Sequence, residues 1–209
     1  METADRSSGA FAGELKVLKR RGCTLLVVGP DAGMARCKSL LGDDDRGRER
    51  LVVDTHDDPH PGSGSVSPFV RAGVGDVRAA SAASAPHGEP SLPGATDLDS
   101  VAGELIDRID RLEAGGLEPG ELRVCLGDLG VLAPDRSDSL TAFLETVTER
   151  IREAAGMGHA HLSDTSPLRA TVEPLFAVTV EVRPVPGGRQ QRWLLHEAGL
   201  DSGWIPIED

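Results

Sequence analysis

Tyrosine is absent from this chain of 209 residues, and aromatic residues make up only 3% of it. Lysine occurs only at positions 16, 19 and 38, so nearly all the basic residues are arginines. The 22 basic residues are outnumbered by 34 acidic ones, which gives a formal net charge of −12. Because binding of phosphate polyanions needs basic patches, this charge argues against a surface for nucleic acid or for an anionic membrane.

Cysteine is also scarce, and Cys23, Cys37 and Cys125 stand far apart. Three scattered thiols do not suit a disulfide framework or a four-thiolate zinc site, so we expect small buried residues in a reducing cytoplasm. No signal peptide opens the chain, and no apolar run approaches the roughly 18 residues that span a bilayer. We therefore expect a soluble cytoplasmic protein with no membrane insertion and no nucleic-acid partner.

An acidic, lysine-poor chain that is rich in alanine and glycine resembles the proteins of halophilic archaea. Carboxylate-rich surfaces keep such proteins soluble in molar salt, where charge repulsion is screened within about 3 Å. The length suits a single domain over residues 1–209 with a core of its own. Polar residues 1–9 are predicted to be disordered, and residues 76–94, rich in Ala, Ser, Pro and Gly, to form a flexible surface loop.

The most informative stretch is residues 24–42, with the sequence TLLVVGPDAGMARCKSLLG. The short apolar run at 24–28 predicts a strand that is covered on both faces. A strong turn signal follows at 29–33, and apolar residues spaced by three and four over 34–41 predict a helix that Gly42 ends. In a nucleotide-binding protein, a glycine turn between a strand and a helix holds the phosphates.

The turn lacks the residues that this chemistry needs. A phosphate-binding loop follows the pattern G-x-x-x-x-G-K-[ST], in which the lysine neutralises phosphates and the hydroxyl holds magnesium. Counted from Gly29, the last three positions are Met34, Ala35 and Arg36. Lys38 and Ser39 come about one helical turn too late to face the same loop. We therefore predict that the glycines serve the geometry of the turn and that the loop does not bind a nucleotide productively.

Hydrophobic periodicity places the other elements. It predicts helices at 10–21, 97–114 and 137–155, and strands at 50–54, 68–73, 122–126, 159–162 and 203–207.

Two alternating segments, 172–183 and 190–196, flank a Pro-Gly-Gly turn and predict a β-hairpin. The order of elements predicts an α/β fold: a mainly parallel twisted sheet flanked by helices, with this C-terminal antiparallel hairpin. Ligands of such sheets bind at the carboxyl ends of the strands, which here are residues 29–33, 54–58 and 127–128.

In this order and pattern the chain resembles the core of RecA/KaiC-type ATPases, most closely the degenerate HTR-like versions of halophilic archaea. The likeness covers roughly residues 15–207. LKRRGCTLLVVGP is similar to the segment that leads into the phosphate loop, and ELRVCLGDL to the strand that carries the metal-associated aspartate. RLVVDTHDD is similar to the second strand with its acidic residues, and the predicted hairpin with the terminal WIPI is similar to the C-terminal strands. The resemblance implies a RecA-like P-loop core that binds ATP and magnesium between subunits of a ring.

The resemblance also implies positions for two acidic residues. Asp57 or Asp58 matches the family's water-activating acid. The metal-associated acid falls at Gly127 by strict strand register, or at Asp128 if the register shifts by one residue. Because such a shift reverses the face to which a strand residue points, the register decides which position is meant.

The first hypothesis is a non-catalytic pseudo-ATPase with no cofactor. An intact fold pattern without the loop chemistry indicates a regulatory or protein-interaction module, with an unidentified protein partner or a second copy of the chain.

The alternative is a divergent ATPase that binds ATP and magnesium through a rewired loop. Its nucleotide site would consist of backbone amides, a substitute cation, a hydroxyl and acidic groups, supplied by Gly29, Gly33, Arg36, Lys38, Ser39, Asp58 and Asp128.

A third hypothesis is a metal site at His56, Asp57, Asp58 and His60, since clustered His and Asp can bind a divalent cation. We favour an exposed loop there, because prolines at 59 and 61 indicate an irregular turn. His159 and His161 lie on one face of a predicted strand. Two histidines alone do not make a metal site, so we interpret them as ordinary polar residues of that strand rather than as metal ligands.

Overall fold

The computed structural model describes residues 2–30, 40–41, 48–54, 70–71, 98–132 and 137–207. The described helices are α1 (Glu2–Arg21), α2 (Leu98–Ala114), α3 (Leu129–Leu132), α4 (Ser137–Glu153) and α5 (Arg169–Val172), and a 3₁₀ turn follows at Glu173–Leu175. The described strands are β1 (Cys23–Val28), β2 (Arg50–Asp54), β3 (Val70–Arg71), β4 (Arg123–Asp128), β5 (Met157–Leu162), β6 (Val178–Val185), β7 (Gly188–Leu195), β8 (Leu200–Asp201) and β9 (Ile205–Pro206).

These strands form one sheet in the order β3-β2-β4-β5-β1-β6-β7-β8, and β9 pairs with β7. All pairings from β3 across to β6 are parallel. Strand β7 runs antiparallel to β6, β8 and β9. The predicted α/β fold with a mostly parallel sheet and a C-terminal antiparallel hairpin is therefore confirmed. Strand β1 lies inside the sheet between β5 and β6, and all six of its residues are buried, as expected for a strand covered on both faces.

The larger apolar cluster lies on the face of the sheet that α2 and α4 cover. Helix α2 contributes Val101, Leu105 and Ile109, which recur every four residues and have no exposed surface. Helix α4 contributes a similar stripe of fully buried residues, namely Leu140, Leu144, Val147 and Ile151. Both helices lie where the apolar spacing predicts them. The spacing is informative because each helix buries one stripe of apolar side chains against the sheet.

The opposite face carries a second cluster, to which α1 contributes Leu18. On β1 this cluster contains Cys23, Leu25 and Val27, which alternate with residues of the first cluster. Leu40, the first described residue of the helix predicted at 34–41, packs against the same cluster. The sheet is thus flanked by helices on both faces, as predicted, although residues 34–39 lie outside the described residues.

The strand predicted at 172–183 is wrong in its first half. Residues 169–175 form α5 and the 3₁₀ turn, and β6 begins only at Val178. Pro174 stands in the first turn of the 3₁₀ segment, where its missing N–H is not needed. Val172 and Phe176 are both buried, and their spacing of four is helical. Over so short a segment, this spacing is not distinguishable from the alternation of the strand that follows.

Other elements also differ from their predicted bounds. Helix α1 begins at Glu2, so it includes residues that the sequence predicts to be disordered. Strand β8 is not predicted, because a two-residue strand has no periodicity to detect. Strand β9 lies within the edge strand predicted at 203–207. The loop predicted at 76–94 lies outside the described residues.

Polar contacts tie the helical segment 169–175 to the hairpin. Glu173 accepts hydrogen bonds from Arg169 at 3.1 Å and from Thr179 at 2.8 Å. Arg169 also donates to Glu181 on β6 at 2.7 Å. Burial alone would raise the pKa of the Glu173 carboxyl, but these hydrogen bonds outweigh it and hold that pKa below its ordinary value. Glu173 therefore stays ionised at a lower pH in the folded chain than in the unfolded chain.

This contact predicts a pH dependence. Because the pKa of Glu173 is lowered on folding, its contribution to stability is present above the unfolded pKa of about 4.5 and is lost as the pH falls through the folded pKa. Urea titrations between pH 7 and pH 3 should show that Glu173→Gln is less stable than wild type at pH 7 and that the difference shrinks in acid. A constant difference across that range would contradict the assignment.

Candidate functional site at the carboxyl edge of the sheet

The carboxyl ends of the parallel strands meet at one edge of the sheet, where ligands of α/β folds bind. Gly29 directly follows β1, Asp128 ends β4 and Leu162 ends β5. The backbone N–H of Gly29 donates to the carbonyl oxygen of Leu162 at 3.1 Å, so β1 and β5 stay paired into the turn. Two of the residues predicted for a nucleotide site, Gly29 and Asp128, therefore lie at the predicted edge.

Gly29 has a packing reason to be glycine. A Cβ atom at this position would lie 2.6 Å from the carbonyl oxygen of Val182 and 3.2 Å from its Cβ. Val182 belongs to the neighbouring strand β6, whose backbone cannot move without disturbing its own pairing. The close approach of β6 is therefore sufficient to explain the first glycine of the turn, without a phosphate.

Strand β4 contains a bulge that settles the register of its last residues. Cys125 pairs with His159 and Asp128 pairs with His161, so two residues of β4 lie opposite one residue of β5. Gly127 has a φ of 71°, a left-handed conformation that favours glycine and is typical of such bulges. The extra residue places Asp128, rather than Gly127, beside His161 and on the same face as Cys125.

Asp128 has a local structural role. Its Oδ1 atom accepts a hydrogen bond from the backbone N–H of Gly130 at 2.8 Å. Gly130 lies in the first turn of α3, so the carboxylate caps the helix that follows β4. The capping hydrogen bond is therefore a structural reason for an aspartate at this position, independent of any ligand.

The remaining predicted site residues lie outside the described residues. They comprise the rest of the loop, its substitute cation and hydroxyl, and the acidic and histidine residues after β2, namely Gly33, Arg36, Lys38, Ser39, His56, Asp57, Asp58 and His60.

A second group of chemically active side chains lies below this edge, on the face of the sheet opposite to α2 and α4. Cys125, His159 and His161 are all buried, with at most 3% of their surface exposed. Their potential metal-binding atoms lie within 4.8 Å of one another. The two imidazole rings meet edge to face, with centroids 5.1 Å apart and an interplanar angle of 87°. Register alone brings Cys125 beside the histidines, since it stands 34 positions before His159 in the chain.

His161 is the unusual member of this cluster. Its Nδ1 and Nε2 atoms are both buried, and neither has a hydrogen-bond partner among the described residues. Buried polar atoms of this kind are rare and cost free energy, since the folded chain does not replace the hydrogen bonds that water gave them. The sequence predicts that the two histidines share one face of the strand, but it does not predict that they are buried. The available signal for burial is the set of apolar residues on either side of His159 and His161.

The thiol of Cys23 lies on the same face of the sheet, on β1. It pairs in register with Met157, and burial raises its pKa to about 11. Cys23 and Cys125 are both buried, as the sequence predicts, whereas Cys37 lies outside the described residues. The two buried cysteines differ in their neighbours: only Cys125 belongs to the described cluster with the histidines.

A model of a protein family of unknown function, DUF7504, matches residues 22–182 of the chain, which is well over half of its length. The chain belongs to the DUF7504 family. The matched segment of this DUF7504 protein begins just before β1 and ends in β6, so it contains Gly29, the β4 bulge and the cluster of Cys125, His159 and His161. No curated protein matches the chain. Within the part that the structure describes, no helix has the length and apolar character needed to cross a membrane.

Proposed function

We propose that this DUF7504 protein is a non-catalytic relative of RecA/KaiC-type ATPases that acts as a regulatory or protein-interaction module in a salt-adapted organism. Two of the segments that carry the resemblance form β1 and β4, which run parallel and end at one edge. A glycine turn at one of these ends and an aspartate at the other are the features that the resemblance implies for this edge.

The observation that carries the non-catalytic proposal is the packing of Gly29 against β6. In a working phosphate loop, glycine allows the phosphates to approach the backbone. Here the space that a Cβ would fill is already taken by the backbone of Val182. Asp128 likewise caps α3. Both described residues of the expected site thus have structural roles, and the sequence lacks the lysine and hydroxyl at the positions where a phosphate loop needs them.

The proposal predicts that the protein does not bind ATP. Calorimetric titration with ATP and magnesium, in molar potassium chloride to match the acidic surface, should give no binding heat up to millimolar nucleotide. Circular dichroism of the same sample should show that the protein is folded. The reason is that the backbone amides alone leave the outer phosphates without a neutralising cation.

Micromolar binding would contradict this proposal and favour the divergent ATPase. Asp128→Asn would then show which acid serves the nucleotide. The variant keeps an oxygen that can cap α3 but loses the charge that a magnesium ion needs. Loss of magnesium-dependent binding in Asp128→Asn would assign that residue to the rewired site.

A further inference from the structure

We propose that Cys125, His159 and His161 form a binding site for a transition-metal cation of the Zn²⁺ type, buried within one face of the sheet. The site is independent of the proposed function, since it lies below the carboxyl edge rather than in the glycine turn. It draws its ligands from two neighbouring strands, β4 and β5.

Strand geometry preorganises the three side chains. His159 and His161 are two residues apart on β5 and therefore point to the same face. Cys125 is the register partner of His159. Because the β4 bulge comes after Cys125, it leaves this pairing intact. Two strands of a buried parallel sheet are rigid supports, so the ligands are held by packing rather than by a loop.

The distances suit a single ion. The ligand atoms lie within 4.8 Å of one another. Zinc binds cysteine sulfur at about 2.3 Å and histidine nitrogen at about 2.0–2.1 Å, so two ligands of one tetrahedral ion are about 3.5 Å apart. Small rotations of the thiol and the rings would therefore close the site, without a change in the backbone.

Burial supplies an independent argument. Both ring nitrogens of His161 are shielded from solvent and lack a hydrogen-bond partner among the described residues. Such a ring is poorly satisfied in a metal-free core, whereas coordination to a cation would satisfy one nitrogen. The ring also meets His159 edge to face, with ring centroids 5.1 Å apart, so the two imidazoles are direct neighbours.

The donor set defines the class of cation. One thiolate and two imidazoles suit borderline and soft ions such as Zn²⁺, Co²⁺ and copper. Magnesium and calcium prefer oxygen donors, so the magnesium of a nucleotide would not occupy this site. Binding would deprotonate the Cys125 thiol and release one proton.

Cobalt is the probe of choice, because a Co²⁺–thiolate bond gives a near-ultraviolet charge-transfer band and tetrahedral Co²⁺ gives intense visible bands. Protein stripped with a chelator is titrated with Co²⁺ and is also refolded from denaturant in its presence, so that slow entry into a buried site is not mistaken for absence of binding. We expect one equivalent to bind with both spectral features, and Zn²⁺ to displace it.

Variants then locate the ligands. Cys125→Ser should lose the charge-transfer band, and His161→Gln should weaken Co²⁺ binding by more than about tenfold, since even outer-shell partners of a metal are worth about 10–100-fold. Cys23→Ser is the matched control, because it removes a buried thiol from the same face of the sheet that has Met157 rather than a histidine as its register partner. This control should bind Co²⁺ as the wild type does.

Two further variants address residues outside the described part of the chain. Cys37→Ser and the double variant His56→Gln/His60→Gln should leave the spectrum unchanged. A spectrum that is lost in either of them and kept in Cys125→Ser would overturn the proposal. So would a folded wild-type protein that shows no spectral change up to millimolar Co²⁺ by either route. If Cys125→Ser does not fold, the wild-type titration and His161→Gln decide the question.

Discussion

Gly29→Ala is expected to lower the free energy of unfolding by about 1–3 kcal/mol, the usual cost of forcing an extra carbon into a packed site. The added Cβ would lie 2.6 Å from the carbonyl oxygen of Val182, which belongs to the backbone of β6. A flexible side chain could turn aside, but β6 is held between β1 and β7. Relief of the clash therefore requires two strands to separate at the edge where the candidate site lies.

The matched control is Gly103→Ala on the exposed side of α2. Nothing lies within 4 Å of the Cβ that this substitution adds, and alanine favours a helix interior by about 1 kcal/mol over glycine. Urea unfolding should therefore show opposite signs: destabilisation at Gly29 and stabilisation at Gly103. Equal stabilities of Gly29→Ala and wild type would mean that β6 does not constrain the turn, and the packing argument for a non-catalytic loop would fail with it.

Phe143→Ala is expected to have the largest effect on stability, a loss of about 3–5 kcal/mol. Phe143 is 2% exposed and lies in the cluster that joins α2, α4 and the sheet. Truncation removes most of a large apolar side chain from a region where helices on one side and strands on the other cannot both move inward. A cavity is therefore left in addition to the lost burial.

Glu145→Ala is the matched control, a change to alanine in the same helix that leaves the core intact. Glu145 lies two residues further along α4, on its exposed side, and the substitution should change stability by less than about 0.5 kcal/mol. Denaturant midpoints compared at equal slopes give both values. A loss below about 1 kcal/mol for Phe143→Ala would show that the interface between α4 and the sheet repacks around the missing ring.

The elements that the sequence predicts well are those whose burial leaves a simple pattern. Strand β2 matches its predicted bounds because RLVVD is a short apolar run between polar residues, and both faces of a parallel strand are covered. Helix α2 is equally clear, since its single buried stripe recurs with the helical period. In both cases one local property, hydrophobicity, is sufficient to determine the element.

The candidate site depends on properties that are not local. The bulge at Gly127 decides on which face Asp128 lies, and a bulge is defined by two strands, not one. The neighbourhood of Cys125 and His161 depends on the same pairing between β4 and β5. Sequence periodicity predicts each strand but contains no information on the register in which two strands pair. The sequence therefore predicts neither the pairing of β4 with β5 nor the cluster that this pairing brings together.

The β4 bulge also has a consequence for insertions and deletions during evolution. In a relative that lost one residue between Cys125 and Asp128, the bulge would be gone, and the aspartate, now two positions after the cysteine, would still lie on the histidine side of the sheet. In a relative of unchanged length whose strand ran without the bulge, the aspartate would turn to the other face and meet the apolar cluster under α2 and α4, to which Leu126 belongs. The pairing of this short segment, and not the presence of the aspartate alone, therefore separates chains able to keep this arrangement from those that cannot.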